Sequence, residues 1–141
     1  MPDVTVKAVV PAPREDVFAF VADMANDPIW VPLVSDVVRE SGDGGPETTW
    51  SFQQAARQRR VRFTARLVVR ADPDRLEWTF GNARVSVRST MMFHDVPGGT
   101  RVTQRNVSTW DAPWLVRALA PLLTRRALGR QMRLLKAHFE G

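Results

Sequence analysis

Apolar side chains recur at two different periods along this chain, and the changes of period divide it into elements. Val4, Val6, Ala8 and Val10 alternate with polar or small residues, which predicts a strand. Pro11 and Pro13 stop it. Pro13-Arg14-Glu15-Asp16 then opens a short helix through Val17, Phe18, Phe20 and Val21, its acidic residues lying in the first turn where the helix dipole favours them. Asn26-Asp27-Pro28 starts a second short helix, with Asn26 or Asp27 capping and Pro28 in the first turn, and Pro32 ends it. The period then falls to two for six segments, near 34–41, 47–54, 58–70, 75–80, 84–94 and 100–109. Turn residues separate them: the glycine run at 42–45, Asp72-Pro73-Asp74, Gly81-Asn82 and Pro97-Gly98-Gly99. The boundary near 55–58 carries the weakest signal. The period returns to that of a helix from about 112, with Asp111 as N-cap and Pro113 just inside the start. Pro121 predicts a break or kink, after which the helical pattern continues to Phe139.

This order predicts an α+β domain spanning residues 1–141: about seven antiparallel strands in one sheet, two short helices after the first strand, and a long C-terminal helix to cover the apolar face. Short connections make neighbouring strands hairpins. Val61, Phe63, Ala65, Leu67 and Val69 share one face of their strand, with Arg60, Arg62, Arg66 and Arg70 opposite. Leu76, Trp78 and Phe80, and then Val85, Val87, Ser89, Met91 and Phe93, repeat the pattern. Glu77 is expected between the Arg rows of its two neighbouring strands.

The last strand departs from it. If Val102 points inward, so do Gln104, Asn106 and Ser108; the opposite parity turns Arg101, Thr103, Arg105 and Val107 inward. Either way polar groups reach the concave face, where they bond one another or meet a ligand. On the long helix, Leu123, Thr124, Ala127, Leu128, Gln131, Met132, Leu134, Leu135, His138 and Phe139 fall in one half. Gln131 and Thr124 lie near its middle, which fits either the wall of a cavity or a Gln whose stem packs in the core while its amide bonds backbone. His138, near the end of the stripe, and His94, at a strand end, read as structural or exposed.

Composition narrows the chemistry. There is no Cys and no Tyr, and only two His, so thiolate, phenol and cysteine-based metal chemistry are excluded and an all-His metal site would lack a third ligand. No cofactor or metal is expected. Hydrophobic residues at 44% with 25% charge fit a folded globule rather than a disordered chain. Of 20 cations 18 are Arg, giving a net charge of +5. The N-terminal residues lack the pattern of a signal peptide, and no apolar run reaches the roughly 20 residues of a membrane span, so a cytoplasmic protein without integral membrane association is expected.

The opening strand, Pro11-Ala12-Pro13, Val17-Phe18, Val21-Ala22-Asp23, Pro28 and Trp30, with Pro121-Leu122-Leu123 and Leu134-Leu135-Lys136, give the chain a pattern that resembles the START-like, helix-grip superfamily, whose bacterial members include the polyketide cyclase/dehydrase and lipid transport family. The resemblance runs along the whole length. It implies a helix-grip fold with a deep, mostly apolar cavity between sheet and C-terminal helix, and a ligand such as a lipid, polyketide, steroid or hormone.

The residues then assign themselves to a polyketide- or lipid-like ligand. Trp30, Trp50, Phe63, Trp78, Ser89, Met91, Thr124, Leu128 and Leu135 are expected to line the cavity. Gln104, Asn106 and Gln131 are expected to act as catalytic hydrogen-bonding groups in a cyclase that templates its substrate and polarises a carbonyl. No Asp or Glu falls on a predicted inward position, so such a reaction would depend little on pH near neutrality. A non-catalytic lipid or metabolite carrier is the alternative. A nucleic-acid or membrane-surface binder using the Arg rows ranks behind it, because aromatics interleaved with Arg for stacking on bases are not evident. Trp114 is a candidate protein-contact anchor, and a homodimer is compatible with it.

Overall fold

The computed structural model describes residues 2–56 and 59–141. Strand β1 (Asp3–Val10) is followed by α1 (Arg14–Ala22), a 3-10 turn (Met24–Asn26) and α2 (Asp27–Trp30). Then come β2 (Val34–Ser41), β3 (Thr49–Ala56), β4 (Arg59–Ala71), β5 (Arg75–Gly81), β6 (Val85–Val96), β7 (Gly99–Trp110) and α3 (Trp114–Glu140). The expected start of β4 at 58 lies outside the described residues. The seven strands form one antiparallel sheet in the order β1-β7-β6-β5-β4-β3-β2. β2 to β7 are successive hairpins. The β1–β2 connection alone runs from one sheet edge to the other, carrying α1 against β6 and β7 on the way.

Turn chemistry fixes this path at a few points. Gly98 and Gly99 join β6 to β7 with φ of +91° and +145°. A Cβ on Gly99 would stand 2.0 Å from the Val10 carbonyl oxygen, so only glycine lets the start of β7 close on the end of β1. Register shifts within β2–β3 and between Leu67 and Val69 on β4 add bulges, which bend a sheet.

The parity expected on the strands is observed except at the end of β4, where the bulge reverses it: Val69 pairs with Glu77 and turns outward, and Arg70 pairs with Leu76 and turns inward, its guanidinium 5.6 Å from the Phe18 ring centre. Ala65, Leu67, Leu76, Trp78, Val87, Met91 and Phe93 are buried. On β7 the Val102 parity holds: Val102, Gln104, Asn106 and Ser108 are buried, while Arg101 and Arg105 face outward, Arg105 donating two hydrogen bonds to the Asp3 carboxylate. Glu77 meets the expectation on the β6 side only. The bulge on β4 sets Val69 opposite it, so its ion pairs run to Arg88 on β6 at 3.3 Å and to Arg75 on its own strand at 3.2 Å.

Helix α3 also corrects two expectations. It runs unbroken through Pro121, which is exposed, so the one lost backbone hydrogen bond leaves a carbonyl that solvent can reach. Pro113 rather than Asp111 occupies its N-cap position, with no side-chain capping hydrogen bond, and the Asp111 N–H donates to the Arg84 carbonyl. Packing against β1 and α2 buries Ala120, Leu128, Met132 and Leu135, but leaves Leu123, Ala127 and His138 exposed although they fall in the apolar half. His138 stacks on Phe20 at 4.3 Å.

Candidate functional site

The β1–β2 connection and the inner sheet face enclose a cavity of about 110 Å³. Its floor is the strip of alternate residues that the pleat turns inward: Phe52 and Gln54 on β3, Trp78 and Phe80 on β5, Ser89 and Met91 on β6, and Gln104 and Asn106 on β7. The opposite wall is Val21 of α1, Met24, and Asp27, Trp30 and Val31 at α2, with Val34 of β2 beside them. Helix α3 contributes Gln131. The volume falls short of the roughly 300 Å³ of a drug-sized site, because two indoles and two phenyl rings fill much of the space.

Seven of the expected site residues meet here: Gln104, Asn106, Gln131, Trp30, Trp78, Ser89 and Met91. Five do not line it. Trp50 shares the inward face of β3 with Phe52 and Gln54 but lies beyond them and is packed into the core. Phe63 is paired across from Phe52 and stacks on it at 5.4 Å, behind the cavity's edge. On α3, Thr124 lies seven residues before Gln131, and Leu128 and Leu135 are buried to either side of it, Leu135 in the main core. All three share roughly the face of Gln131, and it is their displacement along the helix axis, by about 5–10 Å, that takes them past the cavity.

The polar residues of the floor are partly bonded to one another. Gln104 Nε2 donates to Ser89 Oγ at 3.3 Å and to Asn106 Oδ1 at 3.5 Å. Cross-strand register puts them together, since Asn106 pairs with Ser89 and Gln104 with Met91. Gln104 Oε1, buried, has no partner among the described residues, nor has Trp30 Nε1 on the opposite wall. Both belong to residues that line the cavity, so a ligand with one acceptor and one donor could satisfy both.

The sequence pattern marks Asp27 only as a helix cap, and the structure corrects the expectation that no carboxyl reaches the cavity. Burial, with the charge of Asp23 adding to it, pushes its carboxyl well above the ordinary value of 3.8. The Trp30 indole opposes this only weakly, since its N–H does not reach hydrogen-bond geometry with any partner. No Arg, Lys or His lines the cavity to hold Asp27 as an anion. The signal available in the sequence is the pair Asp23 and Asp27, one helical turn apart in a segment that is otherwise mostly apolar.

The solved structures place this arrangement among known folds. TTHA0849 from Thermus thermophilus is similar at 20% identity with a TM-score of 0.83, over 96% of this chain and 95% of that one. CV1439 from Chromobacterium violaceum is similar at 15% identity with a TM-score of 0.78, over 99% and 98% of the two chains. The di-domain ARO/CYC StfQ from the steffimycin biosynthetic pathway is similar at 14% identity with a TM-score of 0.78, over 99% of this chain and 51% of StfQ. No curated protein matches the sequence. At these identities the likeness shows the helix-grip fold. The sequence profile described as polyketide cyclase/dehydrase and lipid transport matches residues 1–140, and the chain belongs to that family.

Proposed function

We propose that the protein binds a small, mainly apolar molecule bearing a carbonyl and a hydroxyl in the cavity between the sheet and the β1–β2 connection, and that it promotes cyclisation of a polyketide-like substrate by holding it folded. What supports this is the juxtaposition of aromatic walls with two buried polar atoms, Gln104 Oε1 and Trp30 Nε1, that lack protein partners. Trp30, Trp78, Ser89 and Met91 shape the site. Gln104, Asn106 and Gln131 orient and polarise. An apolar cavity of about 150 Å³ takes benzene, so at about 110 Å³ this one admits a single ring only with a small outward movement of its wall, and a longer chain requires the α2 wall to part further from the sheet. StfQ, whose description as an ARO/CYC matches this chemistry, gives the cyclase reading its context. A non-catalytic carrier is the second reading, favoured by the floor amides being satisfied largely by each other.

The probe 4-hydroxyacetophenone carries one ring, one carbonyl and one hydroxyl. It should quench the cavity tryptophans with a dissociation constant of about 0.1–1 mM. Gln104→Ala should weaken that binding about tenfold, the loss of one buried hydrogen bond. Turnover of a synthetic poly-β-ketone, slowed about 10- to 100-fold by Gln104→Ala or Gln131→Ala, selects the cyclase; saturable binding without turnover selects the carrier. No quenching, or quenching indifferent to Gln104, overturns both.

A further inference from the structure

The amphipathic pattern of α3 reverses along its length. The second half turns Leu128, Met132 and Leu135 inward. The first half buries only Ala120 and leaves Trp114, Leu115, Val116, Leu119, Leu122 and Leu123 exposed, Trp114 at 72%. At about 100° per residue, Leu115, Leu119 and Leu122 lie on the side away from the buried stripe, and Arg126, Arg130 and Arg133 continue that same side. The helix carries six cations and a single acid, Glu140, which lies 4.0 Å from Lys136. Beside it, a groove of about 470 Å³ between α3 and β1 is lined by Lys7, Arg125, Arg133 and Lys136. Lys7, Arg125 and Arg133 have no ion-pair partner among the described residues.

We infer that this side of α3 docks the protein on an anionic lipid surface, the apolar residues of the first half entering the boundary between headgroups and acyl chains and the cationic groove taking lipid phosphates. The chemistry selects this occupant. Nucleic acid offers nothing to a contiguous patch of Leu and Val. A second copy would bring together two bodies of net charge +5 and set Arg rows near Arg rows. A helix with exposed Trp and Leu at one end and, beyond them, five cations against one acid has the composition of a segment that lies in the membrane interface. No helix among the described residues is long and apolar enough to cross a membrane. The surface is separate from the cavity, to which α3 gives only Gln131.

Co-sedimentation with vesicles tests this. Phosphatidylcholine vesicles containing about 30% phosphatidylglycerol should bind the protein at least about tenfold more tightly than pure phosphatidylcholine vesicles, and about 0.5 M salt should remove most of the difference. Tryptophan emission should shift to the blue on binding, and Trp114→Phe should abolish the shift. Leu119→Ser with Leu122→Ser, and separately Arg125→Gln with Arg133→Gln, should each weaken binding about tenfold or more. All four positions are exposed, and an unchanged thermal midpoint verifies that the variants are folded. Equal binding to the two vesicle types, binding to neither, or folded variants that bind as the wild type does would overturn the inference. So would a concentration-dependent dimer that the Leu variant abolishes, which would give the patch to a second copy.

Discussion

Phe93→Ala should lower the thermal midpoint by roughly 10–20 °C, the consequence of about 3–5 kcal/mol lost from the core. Phe93 lies on β6, is 1% exposed, and meets Phe18 of α1 edge to face, ring centroids 5.2 Å apart and planes at 71°. The Arg70 guanidinium sits 5.6 Å from the Phe18 ring centre on a third element. The variant therefore removes a large apolar volume and also the contact that seats α1 on the sheet. Relaxation cannot refill the space, because Leu67, Leu76 and Val102 in the same core are already fully buried. Against a total stability of about 5–15 kcal/mol, such a loss is large. Because α1 leads directly into the 3-10 turn and α2, the wall of the cavity loosens with it. Ligand binding should weaken at temperatures where the variant is still folded. Val9→Ala, on an exposed β1 position, should move the midpoint by no more than about 2 °C. A Phe93 variant as stable as that control would mean that α1 is held by something other than this pair.

The strands were legible because each is half-buried, so alternation reports directly which face meets the core. That is why Ser89 could be placed inward from spacing alone, and why the short turns gave the hairpin order; on β7, where polar residues occupy both faces, alternation left two parities open and burial of Gln104 and Asn106 selects one. α3 was less legible. Its apolar residues satisfy the core in the second half and solvent in the first, and a helical wheel superposes the two. Leu123 consequently reads the same as Leu135, although one is exposed and the other is fully buried. Phe63 and Trp50 show a second limit. Parity gives the face of a sheet but not the position along the strand at which helices stop covering it, so residues behind the cavity look like residues lining it. Asp27 shows a third. It lies in a four-residue helix with no room for a periodic signal, half-buried at the cavity wall where that helix meets α3 and β2, elements distant in sequence.

Asp27→Asn should make the protein more stable at pH 7, by about 1–3 kcal/mol, since it removes an ionisable group from a site with no cation to pair it. The folded protein holds the Asp27 proton to higher pH than the unfolded chain does, because burial and the neighbouring Asp23 disfavour the anion. The neutral carboxyl thus contributes stability in full below the ordinary value of 3.8, and that contribution is lost as pH rises through the folded-state pKa. Asp3 and Asp72 act in the opposite sense. Hydrogen bonds from Arg105 and Arg70 hold them below the ordinary range, so their contribution is present at neutral pH and is lost in acid. Subtracting the variant's stability from the wild type's at each pH cancels these surface pairs and leaves Asp27. The difference should be largest in the wild type's favour near pH 4 and fall steadily toward neutrality, as followed by urea denaturation. The same proton governs the ligand. A neutral carboxyl can donate to a carbonyl at the cavity wall, whereas the anion can only accept. Binding of 4-hydroxyacetophenone should therefore weaken as pH rises in the wild type and stay level in Asp27→Asn, whose amide donates at every pH. A stability difference that does not change with pH would show that Asp27 ionises in the folded protein as freely as in the unfolded chain, and would return the cavity to amides and indoles alone.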